Sequence, residues 1–339
     1  MWLMSRQPWR VLFTWICRVL RDVSWKKPFY QVIKLLGEYM AKQAAVTFFY
    51  QSSFTVAIEK TLLIFSYRQT GLEMLQETHY LTEKDFKGFN NIVVFVARAS
   101  LEHNDPVIYT WKKSFPITYV VSSDAQSTVP QGANARIVKT GDSISVASVQ
   151  VGVYGSTDAG VSYLVKAAGL RVFHAGDLNL WHWREENSLH EITQAEDEYY
   201  RIVAQIPKEK MDICMFPVDP NLGGFYDAGA NHFIMTLKPA VFFPMHWGKR
   251  SEIAIDYARR MHTPNTQVYA LTQPRETALI DFSTKPPMVR GAQVQRKFFG
   301  HGGAADGHSV TLNAYISEDP FSETDLPVDL PRARDKGQA

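Results

Sequence analysis

From about residue 45 the chain alternates short apolar runs with turns. The runs at 46–50, 54–58, 61–65, 92–96 and 117–121 predict strands, and so do 143–154, 162–165, 171–174, 213–216, 241–243, 267–271 and 277–280. Segments with apolar residues at helical spacing, 193–205, 227–237 and 252–261, separate the later strands. A run of strands that gives way to alternating strands and helices predicts two sheets packed face to face with helices outside. Gly, Pro and charge thicken from about residue 284, and 319–339 reads as a solvated tail. The pattern therefore divides the chain into a helical segment (1–44), a central domain (45–283) and a C-terminal extension (284–339).

The first segment has a different texture. Trp9, Leu12, Phe13, Ile16, Leu20 and Val23 recur at helical spacing with Arg6, Arg10, Arg18 and Arg21 between them, which predicts an amphipathic helix with a cationic face. Its apolar run stops at Arg18, far short of the ~20 residues a membrane-spanning helix needs, and no small-residue cleavage site follows. Two uses stay open for it: packing on the main domain or on a partner, or docking on a membrane surface.

Composition narrows the class. The chain has 339 residues, 45% apolar and 21% charged, enough for a substantial core, so disorder is excluded for most of it. Residues 1–45 carry eight Lys or Arg against two acids while the whole chain is only +2, so the remainder is net acidic. That balance argues against nucleic acid as a partner, because phosphate attraction dominates such binding. Cys17 and Cys214 are the only thiols, too few for a disulfide framework or a cysteine metal cage. Reducing, cytoplasmic surroundings are the expectation.

Metal chemistry without useful cysteines must rest on His and carboxylates, held in loops at strand ends. Three stretches qualify. Arg98, Ser100, Glu102, His103 and Asp105 follow the strand ending at Val96. His174, Asp177, Trp181 and His182 follow a second strand, and His246 sits between Met245 and Trp247 after a third. Each has an ordinary structural alternative: His103 as a helix cap near Pro106, Glu102 as a solvated acid favoured by the helix dipole, Asp177 as a turn residue, His246 as a hydrogen-bonded core histidine. His174 is expected to bury its ring at the strand end. Trp181, His182 and Trp183 are expected to form wall and packing beside the mouth, with His182 a candidate for substrate contact or proton transfer.

The order strand, acid-His loop, strand, Gly-Asp, strand, Met-His resembles the metallo-β-lactamase-fold hydrolases. It is most similar to a bacterial branch of metal-dependent hydrolases with a His-Ala-Gly-Asp-Leu-Asn signature, here residues 174–179. The resemblance implies an α/β fold: a four-layer αββα sandwich of the metallo-β-lactamase type, with the N-terminal amphipathic helix added. Intact members carry H-x-H-x-D-H after the strand. This chain has Arg98 and Ser100 where the two His belong, and Glu102 and His103 where Asp and His belong.

The resemblance therefore implies one surviving metal site, with Glu102, His103, Asp177 and His246 as ligands of a single divalent ion, zinc or manganese. Arg98 has no lone pair to give and opposes a cation at the lost site. It is expected to pair with Asp158 or Asp177 in a bidentate arrangement. Ser156 and Asp158 stand where a further His often occurs. Two functions follow. One is a hydrolase with a metal-bound water as nucleophile, Asp177 and His182 as catalytic residues, and a small ester, lactone or phosphoester as substrate. The other is a pseudoenzyme that keeps the sandwich as a binding or scaffolding module.

Overall fold

The computed structural model describes residues 43–71, 77–261 and 263–293. The predicted helix at 9–23 and most of the C-terminal extension lie outside the described residues.

Two mixed sheets form. The first runs β1 (Gln43–Tyr50), β2 (Ser53–Ile58), β3 (Thr61–Phe65), β4 (Asn91–Val96), β5 (Ile117–Ser122) and β6 (Ala135–Val138). The second holds β7 (Ser143–Val146), β8 (Val149–Tyr154), β9 (Ser162–Ala167), β10 (Leu170–His174), β11 (Ile213–Pro217), β12 (Val241–Met245) and β13 (Gln267–Val268). The chain then returns to the first sheet with β14 (Glu276–Asp281) and β15 (Met288–Gln293), giving the order β15-β14-β1-β2-β3-β4-β5-β6. Its partner has the order β13-β12-β11-β10-β9-β8-β7.

Alternation decides which face each strand buries. In β1, Ala44, Val46 and Phe48 point between the sheets, and in β8 Val149, Val151 and Val153 do the same. β3 is buried throughout because both its faces are covered: Leu63 and Phe65 join the inter-sheet core, while Leu62 and Ile64 join a second core outside the first sheet. Helices cover the second sheet. They are α1 (Leu189–Gln205), α2 (Ala228–Leu237) and α3 (Ser251–Arg260). α1 starts four residues earlier than its apolar spacing predicts, because Ser188 and Glu191 close a reciprocal capping box. Tyr199 of α1 donates its hydroxyl to the Gly229 carbonyl (2.6 Å), which joins α1 to α2 through a buried bond.

The structure corrects several predicted elements. The run 143–154 is a hairpin, turned at Ala147 and Ser148 with positive φ (43° and 64°) and no glycine to announce it. Only Gln267–Val268 of the run 267–271 pairs as a strand. The first sheet also runs past residue 283, where β15 pairs with β14 along six positions. The segment after Asp105 is a 3-10 helix, Pro106–Lys113, and its cap is Asp105, not His103.

His174 is buried as expected. It stacks on Phe65 (centroids 5.0 Å apart, planes 3° apart), its Nε2 lies 2.8 Å from the Ser52 carbonyl, and its Nδ1 accepts from Gly176 N–H (3.1 Å). Nε2 therefore donates and the ring is neutral. Burial drives its pKa down to about 3, so the unfolded chain takes up a proton first as pH falls. Stability is thus full above the ordinary histidine value of 6.5 and declines below it. Between pH 7.5 and 5.5 the intact chain should lose about 1.4 kcal/mol more unfolding free energy than His174→Gln, measured by urea denaturation at both pH values.

Candidate functional site

Every candidate ligand leaves the carboxyl end of a strand in a parallel part of its sheet. β3 and β4 carry the first set and β10, β11 and β12 the second, so both sheets bring loops to one edge of the sandwich. Two glycines allow the loops to meet. At Gly160 (φ +87°) a Cβ would sit 2.1 Å from the Ala97 carbonyl, and at Gly176 (φ +56°) 2.6 Å from that of Val161.

Asp177 stands at the centre and is buried. Its Oδ2 accepts from Arg98 Nη1 (2.5 Å), and the same nitrogen reaches Asp158 Oδ2 (2.7 Å). Arg98 therefore pairs with both predicted acids, but through one shared nitrogen and not through the two-nitrogen fork expected of it. Asp158 is largely exposed, so its pair with Arg98 adds little to stability; the buried Asp177 contact is the stronger.

The other oxygen of Asp177, Oδ1, lies 2.9 Å from His103 Nε2 and 3.9 Å from His246 Nε2. His246 Nε2 is also 3.8 Å from Glu102 Oε1. Glu102 Oε1, His103 Nε2 and Asp177 Oδ1 are all buried and none has a partner at hydrogen-bonding angles. The 2.9 Å approach is close in distance but off line.

Both imidazoles are braced from behind. His103 Nδ1 meets Ser66 Oγ at 2.8 Å, and His246 Nδ1 meets Asp219 Oδ2 at 2.9 Å. With Nδ1 held by the brace, each Nε2 faces the site, where loss of its proton leaves a lone pair for a cation. His246 has positive φ (65°), which turns its ring off the end of β12, and Gly248 N–H anchors the following turn on Gln51 (3.0 Å).

The charges follow this geometry. Burial raises the Asp177 carboxyl, but the positive field of His103, its approach, and the Arg98 contact outweigh it and hold the group well below the usual carboxylate range. Burial lowers His246, yet the Asp219 contact and the charges of Glu102 and Asp177 lift it to about 9. Desolvation works against the Arg98 cation and its two carboxylates overcome that.

Among the described residues, no group of three or more His, Cys, Asp or Glu is spaced as a ready-made metal cage. The four candidate donors nevertheless face one another, and acceptors crowded in a dry site repel unless a proton or a cation lies between them. The donor set suits a divalent ion in its chemistry: two imidazoles and two carboxylates.

The remaining predicted residues fall around this centre. Ser100 acts through its carbonyl, which accepts from the N–H groups of His103 (3.0 Å) and Asn104 (2.9 Å) and so shapes the Glu102–His103 turn. Ser156 Oγ accepts from Asp158 N–H (3.3 Å). Thr157 locks that loop to the Asp177 loop, bonding to both the carbonyl and the N–H of Asn179. Trp181 donates to the Asp177 carbonyl (2.7 Å) and presents its ring to His246 at 5.7 Å, a wall of the site. His182 turns to Phe225 (5.6 Å), buried and with neither ring nitrogen hydrogen-bonded.

The positioning roles of two residues, Asp219 and Asp105, were missed by sequence reasoning. Asp219 caps the turn after β11 through Asn221 N–H while its other oxygen holds His246. Asp105 is fully buried and accepts from Val107 N–H, Gln69 N–H, Thr70 N–H and Thr70 Oγ1 at 2.7–3.0 Å. It clamps the loop after Ser66 to the loop that carries His103. Both precede a proline, an Asp-Pro signature of a helical N-terminus that was readable.

No family model matches the chain, and no curated protein does. Among solved structures it is similar to Igni18, a novel metallo hydrolase from the hyperthermophilic archaeon Ignicoccus hospitalis. Identity is 17% and the TM-score 0.50, over 71% of this chain and 99% of that one. The likeness extends to the metallo-β-lactamase fold protein YhfI from Bacillus subtilis (8% identity, TM-score 0.45, 69% of this chain and 98% of that one). The diiron β-hydroxylase CmlA from Streptomyces venezuelae also aligns (11% identity, TM-score 0.46, 70% and 54%). The chain has the metallo-β-lactamase fold. Among the described residues of this metallo-β-lactamase sandwich, no helix is long and apolar enough to cross a membrane.

The Asp105 clamp makes a direct prediction. Asp105→Asn turns an amide NH2 toward donors, and should cost about 3 kcal/mol of unfolding free energy in denaturant titration, with proteolysis rising first in the 66–70 loop. A loss below ~0.5 kcal/mol would show that the clamp is not structural.

Proposed function

We propose that the chain is a metal-dependent hydrolase that works with one divalent ion, zinc or manganese, held by Glu102, His103, Asp177 and His246. Its substrate is a small molecule, an ester, lactone or phosphoester, and its compartment the cytoplasm. The observation that supports this reading most is the trio of buried, unpartnered atoms, Glu102 Oε1, His103 Nε2 and Asp177 Oδ1, gathered opposite a histidine braced by a carboxylate. On this reading the Arg98–Ser100 stretch is a degenerate form of the two-metal motif.

Such an ion, when bound, supplies Lewis acidity and acidifies a water molecule. The chain's own residues do the rest. Ser66 and Asp219 hold the two imidazoles from behind. Asp177 stays ionised, so its charge can hold the ion and orient the attacking water. Arg98 places a permanent cation beside it, suited to charge gathering on a carbonyl or phosphoryl oxygen. Trp181 excludes water from one side.

One contact favours a second reading. Arg98 already occupies Asp177 Oδ2 at 2.5 Å, as it would in a pseudoenzyme whose sandwich serves as a binding or scaffolding module. Metal content separates the two. Protein purified without chelator should carry about one equivalent of zinc or manganese by elemental mass spectrometry, His246→Ala should carry none, and Asp219→Asn should bind about 10- to 100-fold more weakly. Absence of bound metal, with no uptake on addition, selects the module.

A further inference from the structure

The outer face of the first sheet is covered unevenly. Over β3–β5 it carries the second core, in which Leu62, Ile64, Val94 and Val121 pack under Ile108 and Tyr109. Phe49 at the far end of β1 also joins this core, but around Gln43, Ala45, Leu279 and Met288 the face opens into a groove. There a row runs across four strands, Ala57–Ala45–Leu279–Arg290, with Gln43–Asp281–Met288 beside it. Ala45 and Ala57 at one side and Leu279 and Met288 at the other, the last two 42% and 43% exposed, line an open groove of about 420 Å³. A groove lined on one side by alanines lets a helix approach a sheet closely, and an αββα sandwich needs a helix on each outer face.

We propose that this groove is the seat of the chain's own N-terminal amphipathic segment, with Trp9, Leu12, Phe13, Ile16, Leu20 and Val23 facing the sheet. Three observations select this occupant. Gln43, where the described chain begins, itself lines the groove, so the preceding segment arrives at its rim. Nineteen residues separate Val23 from Gln43 and reach on the order of 60 Å when extended, more than the turn back requires. A helix over residues 9–23 is about 22 Å long, close to the 20–26 Å of strands of six to eight residues such as β14 and β1. The C-terminal extension fits less well. β15 enters the groove at Met288 and leaves it toward Gln293, and the residues that follow are rich in Gly, Pro and charge.

Cys17 provides the test. It lies four residues after Phe13 and three before Leu20, on the predicted apolar stripe, while Cys214 is buried and silent. In the full chain, Leu279→Cys treated with a short bifunctional maleimide should bridge to Cys17 within one molecule. It should do so at least tenfold faster than Met235→Cys, an exposed position on α2 over the other sheet. Adding Phe13→Glu and Ile16→Glu should speed labelling of the cysteine at 279 at least fivefold. Equal bridging at both positions, or labelling indifferent to the two glutamates, overturns the proposal. Bridging that scales with protein concentration assigns the groove to a second copy. Sedimentation with phosphatidylserine vesicles while position 279 stays freely labelled assigns the segment to a membrane. Both of these outcomes also overturn it.

Discussion

A single buried carboxylate organises the open edge of this sandwich. Asp177 gives one oxygen to the Arg98 guanidinium and turns the other to His103 and His246. The two oxygens solve different problems. Oδ2 is satisfied by a fixed cation that cannot leave by deprotonation, and Oδ1 faces imidazole nitrogens that offer it no well-aligned bond. An ionised group with one half unsatisfied in a dry pocket is costly unless positive charge is brought to it.

The fold exists to hold that arrangement still. Apolar cores lie beneath this edge and reach into its loops through residues such as Ala97, Ala175, Leu178 and Val218, while the same loops carry the polar groups. Each loop is clamped: Asp105 ties the Ser66 loop to the His103 turn, Thr157 ties Asp158 to the Asp177 turn, and Asp219 ties the end of β11 to His246. Because the braces sit behind the imidazoles, the Nε2 atoms face inward whether or not anything binds them. In the proposed function, Arg98 sets how many cations the edge accepts. It takes the place beside Asp158 and leaves the place between His103 and His246, which is why the proposed function uses one ion and not two.

Much of this was legible in the sequence. Short apolar runs located β1–β5, β8–β12 and β14 because those strands bury one or both faces in apolar cores. β6 and β15 escaped notice for one reason: edge strands bury little, and residues such as Arg136, Ile137, Met288 and Arg290 stay partly or fully exposed. The hairpin at 147–148 was hidden because Ala and Ser, not Gly or Asn, carry its positive φ. In the site, the family resemblance singled out Glu102, His103, Asp177 and His246, which lie at one edge of the sandwich, and Arg98, which meets both Asp158 and Asp177. The single shared nitrogen of Arg98 and the turning of His182 to Phe225 depend on loop geometry that no periodicity encodes. The Ser66 brace had no local signal at all, since its partner lies 37 residues away.

The central claim, that this edge holds one cation beside a resident guanidinium, is tested most directly by anomalous diffraction from crystals grown with zinc or manganese, recorded at the metal's absorption edge. The account predicts one peak among Glu102, His103, Asp177 and His246, with Arg98 still on Asp158 and Asp177. A peak beside Asp158 with Arg98 displaced, or no peak at all, would contradict it.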